Sequence, residues 1–269
     1  MEKLIITVAP NGESRTKKDN PNIPITVDEV INDVYACYQA GASLVHLHGR
    51  DPITQAISWD PDYYCQIANG IRAKCDIIIN FSTGGTTDDP YIRLNCLAAK
   101  PDMCSLSGGS TNFTGKTFIN HPDVIQDFAK IMYEHGVKPN IECFDLSHTV
   151  WAKKIASSQY YKGNLSVDIL MNKPGNLPFT PRDLLHYVES LPPDTVWNTV
   201  GDGKAQLHMA AMAIISGGHV RVGIEDNNEY VSGQLATNVA LVERVVRLAN
   251  ELGREIATPA EARKILQLN

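Results

Sequence analysis

Two histidines one residue apart stand at the end of an apolar stretch, LVHLHGR (44–50). Successive side chains of a β-strand point to opposite faces, so His46 and His48 share one face while Val45 and Leu47 share the other. Imidazole is a common zinc ligand, and catalytic zinc sites combine three protein ligands with one open position. The spacing therefore predicts two ligands of a metal site. The alternative is that both rings are ordinary buried polar side chains.

The stretch HVRVGIEDNNEY (219–230) offers the third ligand. Alternation along a strand places Arg221 and Glu225 on one face, and Asp226 on the other face unless the strand bends there. We therefore predict Glu225 as the third ligand of a His₂Glu site. Arg221 and Asp226 form either a structural ion pair or an acid/base unit in which the guanidinium positions the carboxylate.

Hydroxyl groups precede glycines at two further strand ends. Ser82 and Thr83 lie in INFSTGG, which ends at Gly85, and Ser105 and Ser107 lie before a second pair of glycines. Such hydroxyls, with nearby backbone N–H groups, can orient a substrate oxygen or stabilise an oxyanion. The alternative is a turn built from these residue types for backbone reasons. Their position at strand ends favours substrate binding.

Two glutamates outside the predicted His₂Glu site are candidate substrate-binding groups. Glu142 lies among apolar residues in NIECFD (140–145), where an isolated buried charge would be costly, so it must be paired or functional. Glu13 lies in a long loop rich in proline and asparagine (10–24), a functional loop candidate in which a surface position is the default.

The composition is that of an ordinary globular protein. Of 269 residues 43% are hydrophobic and 20% charged, and the net charge of −6 argues against a nucleic-acid partner. No apolar stretch approaches the roughly 20 residues that span a bilayer, and MEKLIITVAP lacks the features of a signal peptide. The six cysteines have no CxxC spacing, which is typical of reduced thiols. We expect a cytoplasmic protein that binds no membrane.

Apolar runs and helix-like segments alternate along the whole chain. This order predicts a (β/α)8 TIM barrel, a single α/β domain over 1–269, with the site at the C-terminal ends of the strands. A doubly wound sheet is less favoured because no GxGxxG follows the first strand. The predicted strands are 4–10, 44–48, 77–82, 103–106, 140–145, 166–171, 195–201 and 219–226, and the predicted helices are 27–42, 60–74, 121–136, 180–191, 204–218 and 233–253.

Several stretches resemble the β-keto acid cleavage enzyme family. They are TKKDNPNIPIT (16–26), QAGASLVHLHGRD (39–51), INFSTGG (79–85) and RVGIEDN (221–227), in order and at similar spacings. The resemblance implies a zinc-dependent homo-oligomeric barrel, a dimer or tetramer. Its implied reaction exchanges acyl groups between a β-keto acid and acetyl-CoA, giving acetoacetate and a new acyl-CoA.

The resemblance also implies roles for individual residues. His46, His48 and Glu225 become the zinc ligands, and Arg221 and Asp226 become the acid/base pair. Ser82 becomes the substrate-orienting hydroxyl, and Ser105 or Ser107 a second hydroxyl of the pocket. Glu13 and Glu142 become acidic pocket positions.

Acidic pocket positions suit a cationic substrate. We therefore expect 3-keto-5-aminohexanoate, converted to 3-aminobutyryl-CoA. The alternatives are another β-keto acid, a zinc-dependent aldolase or hydrolase that uses no CoA, and a non-catalytic barrel with structural zinc.

Overall fold

A closed barrel of eight parallel strands forms the centre of the computed structural model, which describes residues 1–268. Strand β1 pairs with the second and the last barrel strands, so the barrel closes as predicted. The last residue of the predicted domain, Asn269, lies outside the described residues. The barrel strands are β1 (Ile6–Val8), β2 (Leu44–Leu47), β3 (Ile78–Phe81), β4 (Met103–Ser107), β7 (Lys138–Cys143), β8 (Ser166–Met171), β9 (Val196–Gly201) and β10 (His219–Val222).

Helices surround this barrel and confirm the predicted (β/α)8 architecture. Thr26 caps the first helix in a capping box with Glu29, as the sequence suggests. Among residues 1–268, no helix has both the length and the apolar composition that crossing a bilayer requires. The helices are α1 (Val27–Gln39), α2 (Pro61–Arg72), a 3-10 helix (Pro90–Ala99), α3 (Pro122–Glu134), α4 (His148–Ala156), α5 (Pro181–Ser190), α6 (Ala205–Ser216), α7 (Asn238–Glu251) and α8 (Pro259–Ile265).

Two short β-hairpins interrupt the regular alternation, and the sequence did not predict them. One is formed by β5 (Thr111–Phe113) and β6 (Lys116–Phe118), and the other by β11 (Glu229–Val231) and β12 (Gln234–Leu235). The second hairpin occupies the start of the predicted helix 233–253, which begins only at Asn238.

The last barrel strand is shorter than predicted. It ends at Val222, and the chain then turns through Gly223, whose φ is +152°. A Cβ atom at this position would lie 2.0 Å from the carbonyl oxygen of Ala9, so the close approach of the two backbones requires glycine. Glu225 and Asp226 therefore lie in a turn, and strand alternation does not set their directions.

A buried histidine makes the stability of the barrel depend on pH. The Nδ1 atom of His219 accepts a hydrogen bond from the Ile5 N–H (3.0 Å), and burial, assisted by the Arg254 cation, lowers its pKa to about 3. In the unfolded chain His219 takes up a proton near pH 6.5. The stabilisation that the neutral, buried His219 gives the folded protein is therefore complete above that pH. It is lost as the pH falls towards 3, by up to about 1.4 kcal/mol per pH unit.

We expect His219→Gln to flatten this dependence, because glutamine keeps an acceptor for Ile5 but does not titrate. Urea unfolding of both proteins at pH 7, 6, 5 and 4 measures the free energy of unfolding. The difference between wild type and variant should change steadily below pH 6.5. A difference that is constant across this series would contradict the assigned protonation of His219.

Candidate active site

Three predicted ligands converge at the C-terminal end of the barrel. The Nε2 atoms of His46 and His48 lie 3.4 Å apart, and the Glu225 Oε1 atom lies 3.8 and 3.3 Å from them. Tetrahedral ligands about 2.0–2.2 Å from zinc lie about 3.3–3.6 Å from one another. The spacing of these three atoms therefore fits a single zinc ion.

The protonation states of these groups also suit a metal. Burial, with a smaller effect of Arg221, holds the pKa of His46 well below its usual range. Its ring is therefore neutral and can offer a nitrogen lone pair to a metal ion. Burial alone would raise the pKa of Glu225, but Arg221 and both histidines hold it well below the ordinary value. The second carboxylate oxygen of Glu225 is buried and has no hydrogen-bond donor among residues 1–268. A buried carboxylate oxygen without a donor can be satisfied by a cation.

Gly12 in the first loop sets the position of the Glu225 side chain. Its φ is +51°, and a Cβ atom there would lie 2.6 Å from the Glu225 Cγ atom. We expect Gly12→Ala to displace the carboxylate and to weaken zinc binding about ten- to a hundredfold, as loss of a supporting contact does in other zinc sites. Competition with a chromogenic chelator measures the affinity.

Gly115→Ala is the matched control for that experiment. Gly115 also has a positive φ (+86°), but nothing lies within 4 Å of the position that a Cβ atom would occupy there. It therefore reports the backbone cost of alanine without a new contact. Equal zinc affinity in the Gly12→Ala and Gly115→Ala proteins would show that Gly12 has no part in placing the ligand.

Two residues that the sequence analysis missed hold the first loop against β2. Asn11 accepts a hydrogen bond from the His48 N–H (3.1 Å) and donates one to the His48 carbonyl oxygen (3.0 Å). The fully buried Arg50 guanidinium donates to the carbonyl oxygens of Asn11 (2.9 Å), Gly12 (2.6 Å) and Arg15 (2.7 Å). These bonds fix the backbone of a ligand and of the loop that carries Glu13.

Arg221 is surrounded by four carboxylates. Its guanidinium contacts Asp226 (Nε to Oδ2, 2.9 Å) and Glu225 (2.6 Å), and its NH1 atom lies 3.5 Å from Glu142 and 3.8 Å from Asp168. Burial alone would lower the pKa of Arg221, but these carboxylates raise it above the ordinary value. Arg221 therefore stays charged and neutralises a buried acidic cluster.

Two carboxylates of this cluster hold their protons more strongly than usual. Burial raises the pKa of Glu142 to about 7, although the Arg221 cation opposes the shift. Burial also raises the pKa of Asp168, which accepts a hydrogen bond from Asn198 (2.9 Å). Asp168 is not among the residues predicted from the sequence, although an acidic residue within the apolar run SVDILM (166–171) gives the same signal as Glu142.

Lys173 is a second cation next to Asp226. Its Nζ atom lies 3.2 Å from the Asp226 Oδ1 atom and 3.9 Å from the Asp202 Oδ1 atom. Asp226 is fully buried, so Arg221 and Lys173 together surround it. Lys173 was also missed, because it lies in a loop after β8 where lysine is ordinarily a surface residue.

A cavity of about 430 Å³ opens beside the predicted metal ligands. Phe113, Phe144 and Leu170 form an apolar part of its wall. Of the residues predicted from the sequence, the cavity is lined by Glu13, His48, Ser82, Gly85, Ser107, Glu142, Arg221 and Glu225.

Two predicted substrate-binding residues do not line this cavity. The Thr83 hydroxyl donates to the Ser105 carbonyl oxygen (2.6 Å), and the Thr83 N–H donates to the Ser105 hydroxyl (3.3 Å). This pairing joins the ends of β3 and β4, so both residues support the wall from behind. Of the predicted hydroxyl residues, Ser82 and Ser107 line the cavity.

Comparison with known proteins decides the family. The family model described as beta-keto acid cleavage enzyme matches residues 3–268. The chain belongs to the β-keto acid cleavage enzyme family. The match covers almost the whole chain, in agreement with the stretches that carry the resemblance.

Relatives in this family are similar over their full lengths. The 3-keto-5-aminohexanoate cleavage enzyme of Fusobacterium nucleatum is 43% identical, covering 100% of this chain and 99% of that protein. The protein of the same name from Acetoanaerobium sticklandii is also 43% identical, with 100% of both chains covered. The 3-oxoadipate:acetyl-CoA acetyltransferase of Cupriavidus necator is 39% identical over 99% of this chain and 95% of its own.

Solved structures agree with the barrel fold. The apo structure of ObcA superposes with a TM-score of 0.81 at 19% identity, covering 92% of this chain and 66% of that one. A 3-hexulose-6-phosphate synthase superposes with a TM-score of 0.57 at 13% identity, covering 91% and 99%. At these identities the likeness shows the fold alone.

Proposed function

We propose that this β-keto acid cleavage enzyme is zinc-dependent and exchanges acyl groups between a β-keto acid and acetyl-CoA. The observation that carries the proposal is the convergence of His46, His48 and Glu225 beside a cavity that His48, Glu225 and Arg221 line. Three protein ligands leave a coordination position open, as catalytic zinc sites require. When bound, zinc supplies Lewis-acid stabilisation of the negative charge that develops as a β-keto acid loses a C2 proton.

Residues of the chain orient the substrate and bring the reacting carbon to acetyl-CoA. The Ser82 hydroxyl is placed to orient a substrate oxygen, and Arg221 supplies a fixed positive charge at the cavity wall. The C2 carbanion attacks the acetyl carbonyl carbon and expels the CoA thiolate. The thiolate then attacks C3 and the C2–C3 bond breaks, which gives the new acyl-CoA. The carbanion left on C2 takes back the proton held by the base, and acetoacetate leaves.

We assign removal of the C2 proton to Asp226, held by Arg221. Glu142 is the competing base, because it lines the cavity, whereas Asp226 is buried behind Arg221 and Lys173. A pKa of about 7 is also well suited to a general base. Deuterium exchange at C2, measured without acetyl-CoA, should be lost in Asp226→Asn. Loss in Glu142→Gln alone would transfer the role to Glu142.

The proposed substrate is 3-keto-5-aminohexanoate, with 3-aminobutyryl-CoA as the product. Two relatives at 43% identity carry that substrate in their names. The carboxylates of Glu13 and Glu142 line the cavity, which suits the ammonium group of this substrate.

Product analysis tests the reaction and the substrate together. The purified protein is incubated with 3-keto-5-aminohexanoate, with and without acetyl-CoA, and CoA esters are identified by mass spectrometry. We expect 3-aminobutyryl-CoA and acetoacetate in equal amounts, and only with acetyl-CoA. Cleavage without acetyl-CoA would indicate an aldolase or hydrolase instead. Turnover only of another β-keto acid would correct the substrate and keep the reaction.

The predicted homo-oligomer, a dimer or tetramer, and the cytoplasmic location stay predictions. Light scattering of the purified protein measures its mass relative to the 29.6 kDa chain.

A further inference from the structure

The hairpin formed by β5 and β6 closes one side of the substrate cavity. Phe113, Thr114, Lys116 and Phe118 from this hairpin all line the cavity. The Thr114 N–H donates to the Pro174 carbonyl oxygen (3.1 Å), which ties the tip of the hairpin to the loop after β8. The direction of the Lys116 side chain is therefore set by an anchored element.

Lys116 forms an ion pair with Glu13 across the mouth of the cavity. The Lys116 side chain is 44% exposed and the Glu13 side chain 23%, so water reaches both partners. Exposed pairs of this kind are weak, and a charged ligand can displace either partner. Glu13 is thus engaged by a positive charge before any substrate arrives.

The other cations of the cavity wall are committed to different partners. Arg221 and Lys173 contact the buried carboxylates, and Arg15 donates to the carbonyl oxygens of Ile224 and Glu225. Among the residues described as lining the cavity, the Lys116 side chain is 44% exposed, whereas the Lys173 side chain, which also lies 3.9 Å from the partly exposed Asp202, is 17% exposed. The charge at the mouth therefore depends on the Glu13–Lys116 pair.

The names of the similar relatives denote substrates whose tails differ in charge. The name 3-keto-5-aminohexanoate denotes a β-keto acid with an amine on its tail, whereas 3-oxoadipate ends in a second carboxylate. Identities of 43% and 39% do not separate these two substrate classes. A residue that sets the charge of the tail-binding region can separate them.

We propose that Lys116 is a specificity-determining residue that weakens the binding of cationic tails, including that of 3-keto-5-aminohexanoate, and strengthens the binding of anionic ones. The inference rests on the proposed function, because it presumes a β-keto acid whose tail points to the cavity mouth. A cationic tail must displace Lys116 from Glu13 or bind beside it against like-charge repulsion. An anionic tail instead binds Lys116 and leaves Glu13 to water.

The test compares Lys116→Gln with wild type on 3-keto-5-aminohexanoate and on 3-oxoadipate. We expect KM to fall for the first and to rise for the second, with kcat little changed, so the ratio of kcat/KM values shifts about tenfold. Lys18→Gln is the control, because Lys18 is an exposed lysine of the first loop that does not line the cavity. An unchanged or reversed ratio in Lys116→Gln would overturn the proposal.

A binding measurement separates this proposal from the proposed function. The 3-hydroxy analogues of both substrates keep the tail charge but lack the keto group that cleavage needs, so calorimetry measures their dissociation constants without turnover. If wild type cleaves neither substrate but Lys116→Gln shifts the ratio of dissociation constants, the reaction is wrong and the role of Lys116 stands. If the ratio does not shift, the role of Lys116 is wrong whatever the enzyme cleaves.

Glu13→Gln provides an independent check on the same pair. In the Glu13→Gln protein, Lys116 has lost its partner. There, Lys116→Gln should strengthen binding of the cationic analogue only by removing one positive charge, and not by freeing Glu13. The two substitutions should therefore be non-additive. Strict additivity would show that Lys116 does not act on the tail through Glu13.

Discussion

His48→Ala is expected to abolish zinc binding and turnover together. The substitution removes one of three ligands, and zinc affinity should fall by more than about a hundredfold, the upper range for losing only a supporting contact. Without the ion, the charge that develops on the substrate loses its main stabilisation, so kcat should fall at least about a thousandfold. Elemental analysis and the acyl-CoA assay on the same preparation measure both quantities.

His208→Ala is the matched control for this experiment. His208 lies on the exposed face of α6, and its loss should change neither zinc content nor activity. Circular dichroism of both variants verifies that the barrel has folded. Full activity in a folded, zinc-free His48→Ala protein would show that the reaction does not use the metal.

Arg221→Met should destabilise the protein as well as inactivate it. Methionine occupies a similar volume but leaves four carboxylates near one another without the guanidinium between them. Removal of one partner from a buried charge cluster costs about 3–5 kcal/mol. Urea unfolding at pH 7.5 measures this loss, and activity should fall to background.

The unfolding free energy lost in Arg221→Met should be smaller at pH 5.5 than at pH 7.5. With Arg221 present the pKa of Glu142 is about 7, so Glu142 of the wild type is largely protonated at pH 5.5 and Arg221 neutralises one charge fewer there than at pH 7.5. Arg182→Met, on the exposed start of α5, is the control and should leave stability unchanged. Equal unfolding free energies for wild type and Arg221→Met would mean that Arg221 does not hold this cluster together.

The barrel and the convergence of His46 and His48 at its C-terminal end could be predicted because they follow from simple periodicities. Alternation along β2 placed His46 and His48 on one face, and closure of the barrel placed the last strand beside the first. Strand alternation does not account for the position of Glu225, because the strand ends at Val222. Glu225 reaches the histidines through the turn at Gly223, and the same turn brings Asp226 to Arg221.

The remaining residues depend on contacts between distant segments, which local patterns do not encode. Asn11 and Arg50 act by holding backbone groups of other segments, and Lys173 acts from a loop whose direction the sequence does not give. Thr83 and Ser105 differ from the other predicted hydroxyl residues. Their residue types suggested substrate binding, but neighbouring strand ends use them to bond to each other.

Dependence of the reaction on zinc is measured most directly in protein never exposed to a chelator. Zinc per chain is determined, and CoA-ester formation from 3-keto-5-aminohexanoate and acetyl-CoA is measured before and after removal of the metal and after its return. We expect about one zinc per chain, loss of activity on removal, and recovery in proportion to the zinc restored. Activity that persists in metal-free protein would contradict a catalytic zinc at His46, His48 and Glu225.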